Sequence, residues 1–480
     1  MSPSRRPSIT SSVVGGSIQL TPQPCRHGTP RQVSPWTGEA GTAGTVAVVG
    51  AGKMGLPLAA QFADHGWNVV AVDIDERVVA SINEGRSHIG EEPGVGDLVQ
   101  RAHDAGRLRA TTDGAEAAGG ADVVVLIVPV MLDARHRPDH GWMDSAVDSI
   151  APGIHAGSLV IFETTLPVGD TRERYGPRLV AASGLPATGG VTERINVAFS
   201  PERLYSGAAL ANLATYPKLV GGLDDASTAL AAAFYESVLD AEVVAMSSAE
   251  AAEFSKLADT TYRDVNIALA NEFARYADRI GVDITEVIDA ANSQPYSHIH
   301  QPGLGVGGHC IPVYPRFLLA KSPDMELVEL SRRINDEQVD LVVKSLEGEF
   351  SGISDLPVLV LGLTYREGVK ELAYSRGIAL VARLSSVGAR VSAWDPLLSP
   401  EEIRGSGADP WSWGTSSQAR AVVTQTADPL LHELDFNWFP SVEVLFDGRN
   451  SQRARSFPAH IRVLGVGVPP RGERRHTASS

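Results

Sequence analysis

Cysteine is almost absent: the 480 residues hold only Cys25 and Cys310. With only two cysteines a disulfide framework is not expected, and a reducing cytoplasm fits. Long apolar runs are missing too. No stretch reaches the roughly 18 uninterrupted apolar residues that a membrane helix needs, so no membrane partner is expected. Positive charge is scarce, with 41 Lys and Arg against 57 Asp and Glu, a formal net charge of -16. That balance argues against nucleic acid or an anionic membrane surface as the main partner, yet a few local cations suffice for an anionic small molecule. What is present is ordinary for a globular protein: 43% hydrophobic and 20% charged residues, in a chain long enough for about three domains.

Residues 1–43 stand apart. They are rich in Ser, Pro, Thr and Gly, carry Arg5, Arg6, Arg26 and Arg31 against Glu39, and show no apolar periodicity. Such a segment buries too little to offset its ordering entropy and is expected to be a disordered tail. A second loose end is expected over 469–480. Between them, TVAVVG (45–50), NVVAVDID (68–75), ADVVVLIVPV (121–130) and GSLVIFETT (157–165) read as buried strands, with helices over 56–65 and 76–83. Apolar runs alternating with helices indicate a parallel sheet covered on both faces. The first domain is expected over 44–245. Ser247 followed by Glu250 resembles a capping box, and no Gly or Pro interrupts the chain until Gly281. A helix of that length spans roughly 50 Å. Its stripe Phe254, Ala258, Thr261, Val265, Leu269 and Phe273 is expected to face the core, with a dimer interface as the weaker alternative. The helical middle is assigned to 246–352. LPVLVLGLTYREG (356–368), ARVSAWDP (389–396) and VEVLFDGRN (442–450) then repeat strand, glycine turn and helix, giving a smaller α/β domain over 353–468. Its acidic residue, Asp395, lies beside a proline, so this domain is expected to hold a different ligand from the first.

Gly50-Ala51-Gly52-Lys53-Met54-Gly55 is a G-x-G-x-x-G that follows a strand, opens a helix and precedes Asp73 at the end of the next strand. The first glycine makes the turn, the second admits a pyrophosphate, and the third allows close helix–strand packing. Asp73 suits a ribose diol and repels a 2′-phosphate, which favours NAD. A plain glycine turn in a non-binding sheet is the bland alternative.

GLGVGGHCIP (303–312) carries the reactive chemistry. A lone cysteine is usually a small buried hydrophobe. Cys310, however, follows four glycines and His309, which leave backbone N–H groups free and the thiol approachable, as a thiolate nucleophile needs. His298, His300, His309 and Cys310 match no common zinc-ligand spacing, so no metal is expected. A nucleophilic thiol beside a nicotinamide suggests oxidation of a primary alcohol to an acid through a thiohemiacetal and a thioester, with two NAD reduced.

At VAVVGAGKMGLPLA, ETTLPVG (163–169), SPERLYSG (200–207), AEFSKLADTTYRDVNIALANE (252–272), GVGGHCIPVYP (305–315) and FDGRN (446–450) the chain resembles the UDP-glucose/GDP-mannose dehydrogenase family, over about residues 45–450. It looks closest to the branch acting on UDP-N-acetylhexosamines. The resemblance implies two Rossmann-like, doubly wound parallel-sheet domains joined by a long central helix, with NAD in the first and a UDP-sugar against the second. It also implies a cytoplasmic homodimer serving polysaccharide biosynthesis. By position, Cys310 is the nucleophile, Lys256 the oxyanion stabiliser, Glu202 the general acid/base of hydrolysis and Thr165 the hydroxyl that places water. Thr260 and Arg263 share the face of Lys256. NAD contacts are carried to Gly50, Gly52, Lys53, Met54, Gly55, Asp73, Val128, Pro129 and Thr165, and substrate contacts to Arg263, Gly307, Gly308, Arg366 and Arg449. Lys256, Glu202, Arg366 and Arg449 have the ordinary surface side chain as their bland alternative. The chain departs from the family pattern at Thr260 (commonly Asn), Tyr314 (Asp), Ser206 (Glu in UDP-glucose enzymes), Ala373 (Arg), Val130 (Thr) and Arg366 (Lys). UDP-N-acetyl-D-mannosamine is the favoured substrate. The alternatives are UDP-glucose, a catalytically weakened UDP-sugar-binding paralogue, and a two-electron hydroxyacid dehydrogenase in which Cys310 is incidental.

Overall fold

A computed structural model describes residues 44–90, 92–204 and 207–472. The expected tail over 1–43, Cys25, Ser206 and the last eight residues lie outside the described residues. The remainder of the expected C-terminal loose end differs from expectation. Arg471 exchanges two backbone hydrogen bonds with Val463, of 2.8 and 2.9 Å, so the chain is still paired there.

Among the described residues the first sheet has eight strands: β1 Thr45–Val49, β2 Asn68–Val72, β3 Leu108–Thr111, β4 Val123–Leu126, β5 Leu159–Phe162, β6 Asn196–Phe199, β7 Lys218–Gly222 and β8 Val243–Ala245. Their spatial order is β8-β7-β6-β5-β4-β1-β2-β3. Chain order reverses about β1, and the crevice at such a switch point is where open parallel sheets take ligands. All neighbours are parallel except β6 and β7, which pair antiparallel. Val, Ile, Leu and Phe, with Ala47 in β1, fill β1, β4 and β5 on both faces because helices cover both. Helix α1 is Gly55–Asp64 and α2 is Glu76–Asn83.

The central helix, α3, runs Ala249–Ile280 without a break. It is capped by Ser248, one residue later than expected; the Ser248 hydroxyl accepts from Ala251 N at 3.2 Å. Glu250 reaches Arg172 instead of closing a capping box. The expected core stripe is largely displaced, with Thr261 alone of its residues buried. Phe254, Leu269 and Phe273 are 49%, 41% and 39% exposed, whereas the buried face carries Ala252, Glu253, Lys256, Leu257, Thr260, Asp264, Asn271 and Ala274. An apolar periodicity had masked a second face, built of small and polar residues, that packs inward. Glu253 ties the start of α3 to the first domain, accepting from Gly169 N, Thr171 N and the Thr171 hydroxyl.

The second sheet, β11-β10-β9-β12-β13-β14 in space, is parallel throughout and consists of β9 Pro357–Leu361, β10 Arg390–Trp394, β11 Asp409–Pro410, β12 Ala421–Thr424, β13 Val444–Asp447 and β14 Arg462–Gly465. Its first crossover differs from the expected tight turn: a connection over 362–375 separates β9 from helix Arg376–Ser386. Among the described residues no helix is long and apolar enough to cross a membrane.

Candidate active site

The glycine turn leaves β1 at Gly50, whose φ of +98° suits glycine. A Cβ on Gly55 would lie 1.8 Å from the Gly50 carbonyl oxygen, whereas one on Gly52 would meet nothing within 4 Å. The turn is thus closed where helix meets strand and open where a pyrophosphate would approach. Helix α1 begins without a side-chain cap at Met54, so its first N–H donors are not claimed by a capping side chain. Asp73 accepts from Ala51 N and Asp75 N, both at 3.0 Å, which fixes the turn. Lys53 and Pro129 are exposed, and Val128 packs on Gly50 while its carbonyl accepts the Thr164 hydroxyl at 2.7 Å. These residues fit a dinucleotide.

Thr165 and Glu202 follow β5 and β6, whose ends are in register at Phe162 and Phe199. They therefore emerge side by side at the carboxyl edge of the sheet. Glu202 N donates to Glu163 O at 3.1 Å, and its carboxylate is turned back onto Leu204 N. Burial raises the Glu202 pKa, with Lys256 opposing. Cys310 is the free thiol among the described residues and opens to solvent. The protein packed around it raises its pKa, Lys256 lowers it and Glu202 raises it. Tyr314 lies one turn on, its amide bonded to Cys310 O at 2.9 Å, at the start of α4, Tyr314–Lys321. Tyr314 opposes the burial that raises the thiol pKa, and Thr165 opposes the burial that raises the tyrosine's. The Lys256 ammonium stands 6.0 Å from the centre of the Tyr314 ring. Four residues from distant parts of the sequence, Thr165, Glu202, Lys256 and Cys310, thus meet around one tyrosine.

Other candidates are placed differently. The Thr260 hydroxyl donates to Lys256 O at 3.1 Å, so it is turned into its own helix rather than toward the thiol. Arg263 pairs with Asp259 at 2.9 Å, and its charge also reaches Cys310. Arg366 donates to the Tyr365 hydroxyl at 2.7 Å. Arg449 lies beside Gly303, 3.3 Å from where a Cβ would sit. Nor are all loop amides free: Gly303 N donates to Asn271 Oδ1 at 2.9 Å and Gly308 N to Ala373 O at 3.0 Å. Among the described residues no group of three or more His, Cys, Asp or Glu is arranged to hold a metal ion.

The residues in this region that sequence reasoning passed over are mostly buried and polar. Asn271 Nδ2 donates to Asn335 Oδ1, and Asn335 in turn donates to Asp264, which pairs with Arg332. This chain of bonds underlies the 303–312 loop, which it meets at Gly303. Glu163, fully buried, pairs with Lys218 and accepts from the Tyr235 hydroxyl at 2.9 Å. Polar residues on the otherwise small inward face of α3 were the available signal for the first group.

A dinucleotide turn at one sheet's switch point, a thiol–ammonium–carboxylate cluster beside it and a second parallel sheet beyond define a two-sheet dehydrogenase. Sequence comparison refines this. Residues 44–239, 250–337 and 359–453 match the NAD binding, central and UDP binding domains of the UDP-glucose/GDP-mannose dehydrogenase family. A UDP-N-acetyl-D-mannosamine dehydrogenase of Salmonella typhi is 35% identical over 352 residues, 71% of this chain and 82% of that protein. Among solved structures, the UDP-D-ManNAc dehydrogenase of Pyrococcus horikoshii superimposes with a TM-score of 0.78 at 31% identity, covering 88% of this chain and 99% of that one. A UDP-glucose dehydrogenase from Pyrobaculum islandicum also gives a TM-score of 0.78, at 26% identity, covering 88% and 98%. The chain belongs to the UDP-glucose/GDP-mannose dehydrogenase family and is an NAD-dependent UDP-sugar dehydrogenase.

Proposed function

We propose that the chain oxidises the C6 alcohol of UDP-N-acetyl-D-mannosamine to the uronate by a four-electron reaction on Cys310. The observation that carries the mechanism is the convergence of Cys310, Tyr314, Lys256, Glu202 and Thr165. The choice of sugar rests on the relatives at 34–35% identity that bear that name. The proposed division of the chain is 44–245 for NAD, 246–352 for the central part and 353–468 for the UDP-sugar.

Gly50, Gly52, Lys53, Met54, Gly55, Asp73, Val128, Pro129 and Thr165 would hold NAD. Bound NAD supplies the hydride acceptor, one molecule for each of two oxidations. The Cys310 sulfur adds to the aldehyde carbon left by the first, and the carbonyl oxygen takes up the proton, giving a thiohemiacetal. Loss of hydride and the hydroxyl proton turns this into a thioester. Glu202 then takes a proton from water placed by Thr165, the new C–O bond forms, the C–S bond breaks and the thiolate returns. Lys256 holds the oxygen that becomes anionic, a contribution commonly worth about 3–4 kcal/mol. Tyr314 steadies the sulfur where other members carry an aspartate. Gly307, Gly308, Arg263, Arg366 and Arg449 would hold the sugar nucleotide.

We further propose a cytoplasmic homodimer serving polysaccharide biosynthesis. The outer face of α3 supports the dimer: Phe254, Tyr262, Leu269, Phe273 and Tyr276 are all at least 39% exposed. Light scattering of a Leu269→Glu/Phe273→Glu variant, expected monomeric, tests it. For the reaction, a panel of UDP-sugars is scored by NADH formed per sugar consumed. Two NADH on UDP-N-acetylmannosamine are expected. Two on UDP-glucose would move the substrate to the reading that the Pyrobaculum neighbour supports. One NADH would remove the covalent step, and none would leave a binding paralogue. Cys310→Ser is expected to lose acid formation while still binding NAD.

A further inference from the structure

The reactive loop is gripped from one side by the 362–375 connection of the second sheet. Gly308 N donates to Ala373 O at 3.0 Å, and the Tyr365 ring lies so close that a Cβ on Gly308 would come within 3.0 Å of it. His309 Nε2 stands 2.9 Å from Glu371 Oε2. The other oxygen, Oε1, accepts from Leu372 N at 2.8 Å and Ala373 N at 2.9 Å. One carboxylate therefore folds its own loop with one oxygen and holds the residue before Cys310 with the other.

The His309 contact draws the Glu371 pKa down to about 2, helped by the Ala373 amide and by the charge of Lys53 in the cofactor turn. Glu371 is thus ionised at neutral pH, and His309 must carry its proton on Nε2 to meet it. The ring is committed to Glu371, while the charges acting on the thiol come first from Lys256 and Glu202. Side-chain exposures of 47% for His309 and 24% for Glu371 mean that the pair adds little to global stability. Its effect is local.

We propose that Glu371 is a positioning residue of the reaction: by anchoring His309 it fixes where Cys310 stands relative to Lys256 and Glu202. This rests on Cys310 as the nucleophile. The full-length chain is compared as wild type, Glu371→Gln, His309→Asn, the double variant and Cys310→Ser, on the UDP-sugar that wild type turns over. Readouts are kcat, KM, the rate of Cys310 alkylation by iodoacetamide and the thermal midpoint. Glu371→Gln is expected to lower kcat about tenfold or more, as small misplacements of reacting groups do. It should also change the alkylation rate, and leave KM for NAD within about twofold. Its thermal midpoint should stay at the wild-type value. The double variant should be no worse than the worse single, because both changes break one contact. Should Glu371→Gln fail to fold, His309→Asn carries the same expectation from an exposed position. Wild-type turnover and alkylation in Glu371→Gln, or independent, multiplying losses in the double variant, would overturn the proposal. A fully active Cys310→Ser would instead overturn the nucleophile itself; an inactive one beside an unaffected Glu371→Gln removes the positioning role alone.

Discussion

Asn271→Ala strikes the support beneath the 303–312 loop without touching the proposed reacting groups. Asn271 has no solvent exposure, and it is the acceptor for Gly303 N at 2.9 Å and the donor to Asn335 Oδ1 at 3.0 Å. Both partners are themselves buried. Alanine replaces neither bond, and each buried group left unsatisfied costs roughly 1–3 kcal/mol, so the pair costs about 2–6 kcal/mol. Alanine's better helix propensity returns only about half a kcal/mol. Equilibrium urea unfolding measures the loss, and amide exchange at Gly303 localises it, with protection expected to fall there first. The Asn335→Ala variant and the double variant complete a cycle. Because the two side chains share a bond, the double loss should fall short of the sum by about 0.5–3 kcal/mol. A loss under about 1 kcal/mol, or undiminished protection at Gly303, would refute the claim that Asn271 holds the loop, and strict additivity would refute its coupling to Asn335.

Lys218→Met leaves Glu163 buried without its cation and is expected to cost about 3–5 kcal/mol, whereas Lys218→Met with Glu163→Gln should recover most of it; equal losses in urea unfolding would contradict a working ion pair. Tyr314→Phe removes a donor that lowers the thiol pKa, so the midpoint of Cys310 alkylation against pH should move upward; an unchanged or lower midpoint would show that the tyrosine does not stabilise the thiolate. Gly52→Ala should fold and bind NAD more weakly by calorimetry, while Gly55→Ala should disrupt the first domain, since its Cβ would fall 1.8 Å from a backbone oxygen. Unchanged NAD affinity in Gly52→Ala would move the pyrophosphate elsewhere.

The strands and the glycine turn were legible because their chemistry is local. Continuous Val and Ile runs mark a sheet covered on both faces, and Gly50 to Gly55 with Asp73 is a contiguous pattern. Helix Glu76–Asn83 matched its expected limits residue for residue. The long helix was legible in length but not in orientation. Its aromatic residues and Leu269 point outward, and its inward face is mostly small and polar around Leu257, so of the expected stripe only Thr261 is buried. β3, β6, β7 and β8 are short or mixed in composition and gave no run to read. At the site, motif resemblance pointed to Cys310, Lys256, Glu202 and Thr165, and the fold gathers them. The gathering of Thr165 and Cys310 around Tyr314 was not legible, since it joins strand end, helix start and loop across the tertiary fold. Thr260 shows the converse: helical spacing put it on the right face, yet its hydroxyl satisfied the nearest carbonyl instead.

One rod joins the two sheets. Near its start α3 is fastened to the first domain through Glu253, and near its end Ala274 packs against Gly467 of the second. Lys256 and Asn271 ride between these fastenings. An unbroken helix resists stretching and bending, so the span from cofactor turn to sugar domain is set by its length. Lys256 and Asn271 therefore keep one fixed separation, while Thr165, Glu202 and Cys310 sit on other elements and are placed against the rod rather than carried by it.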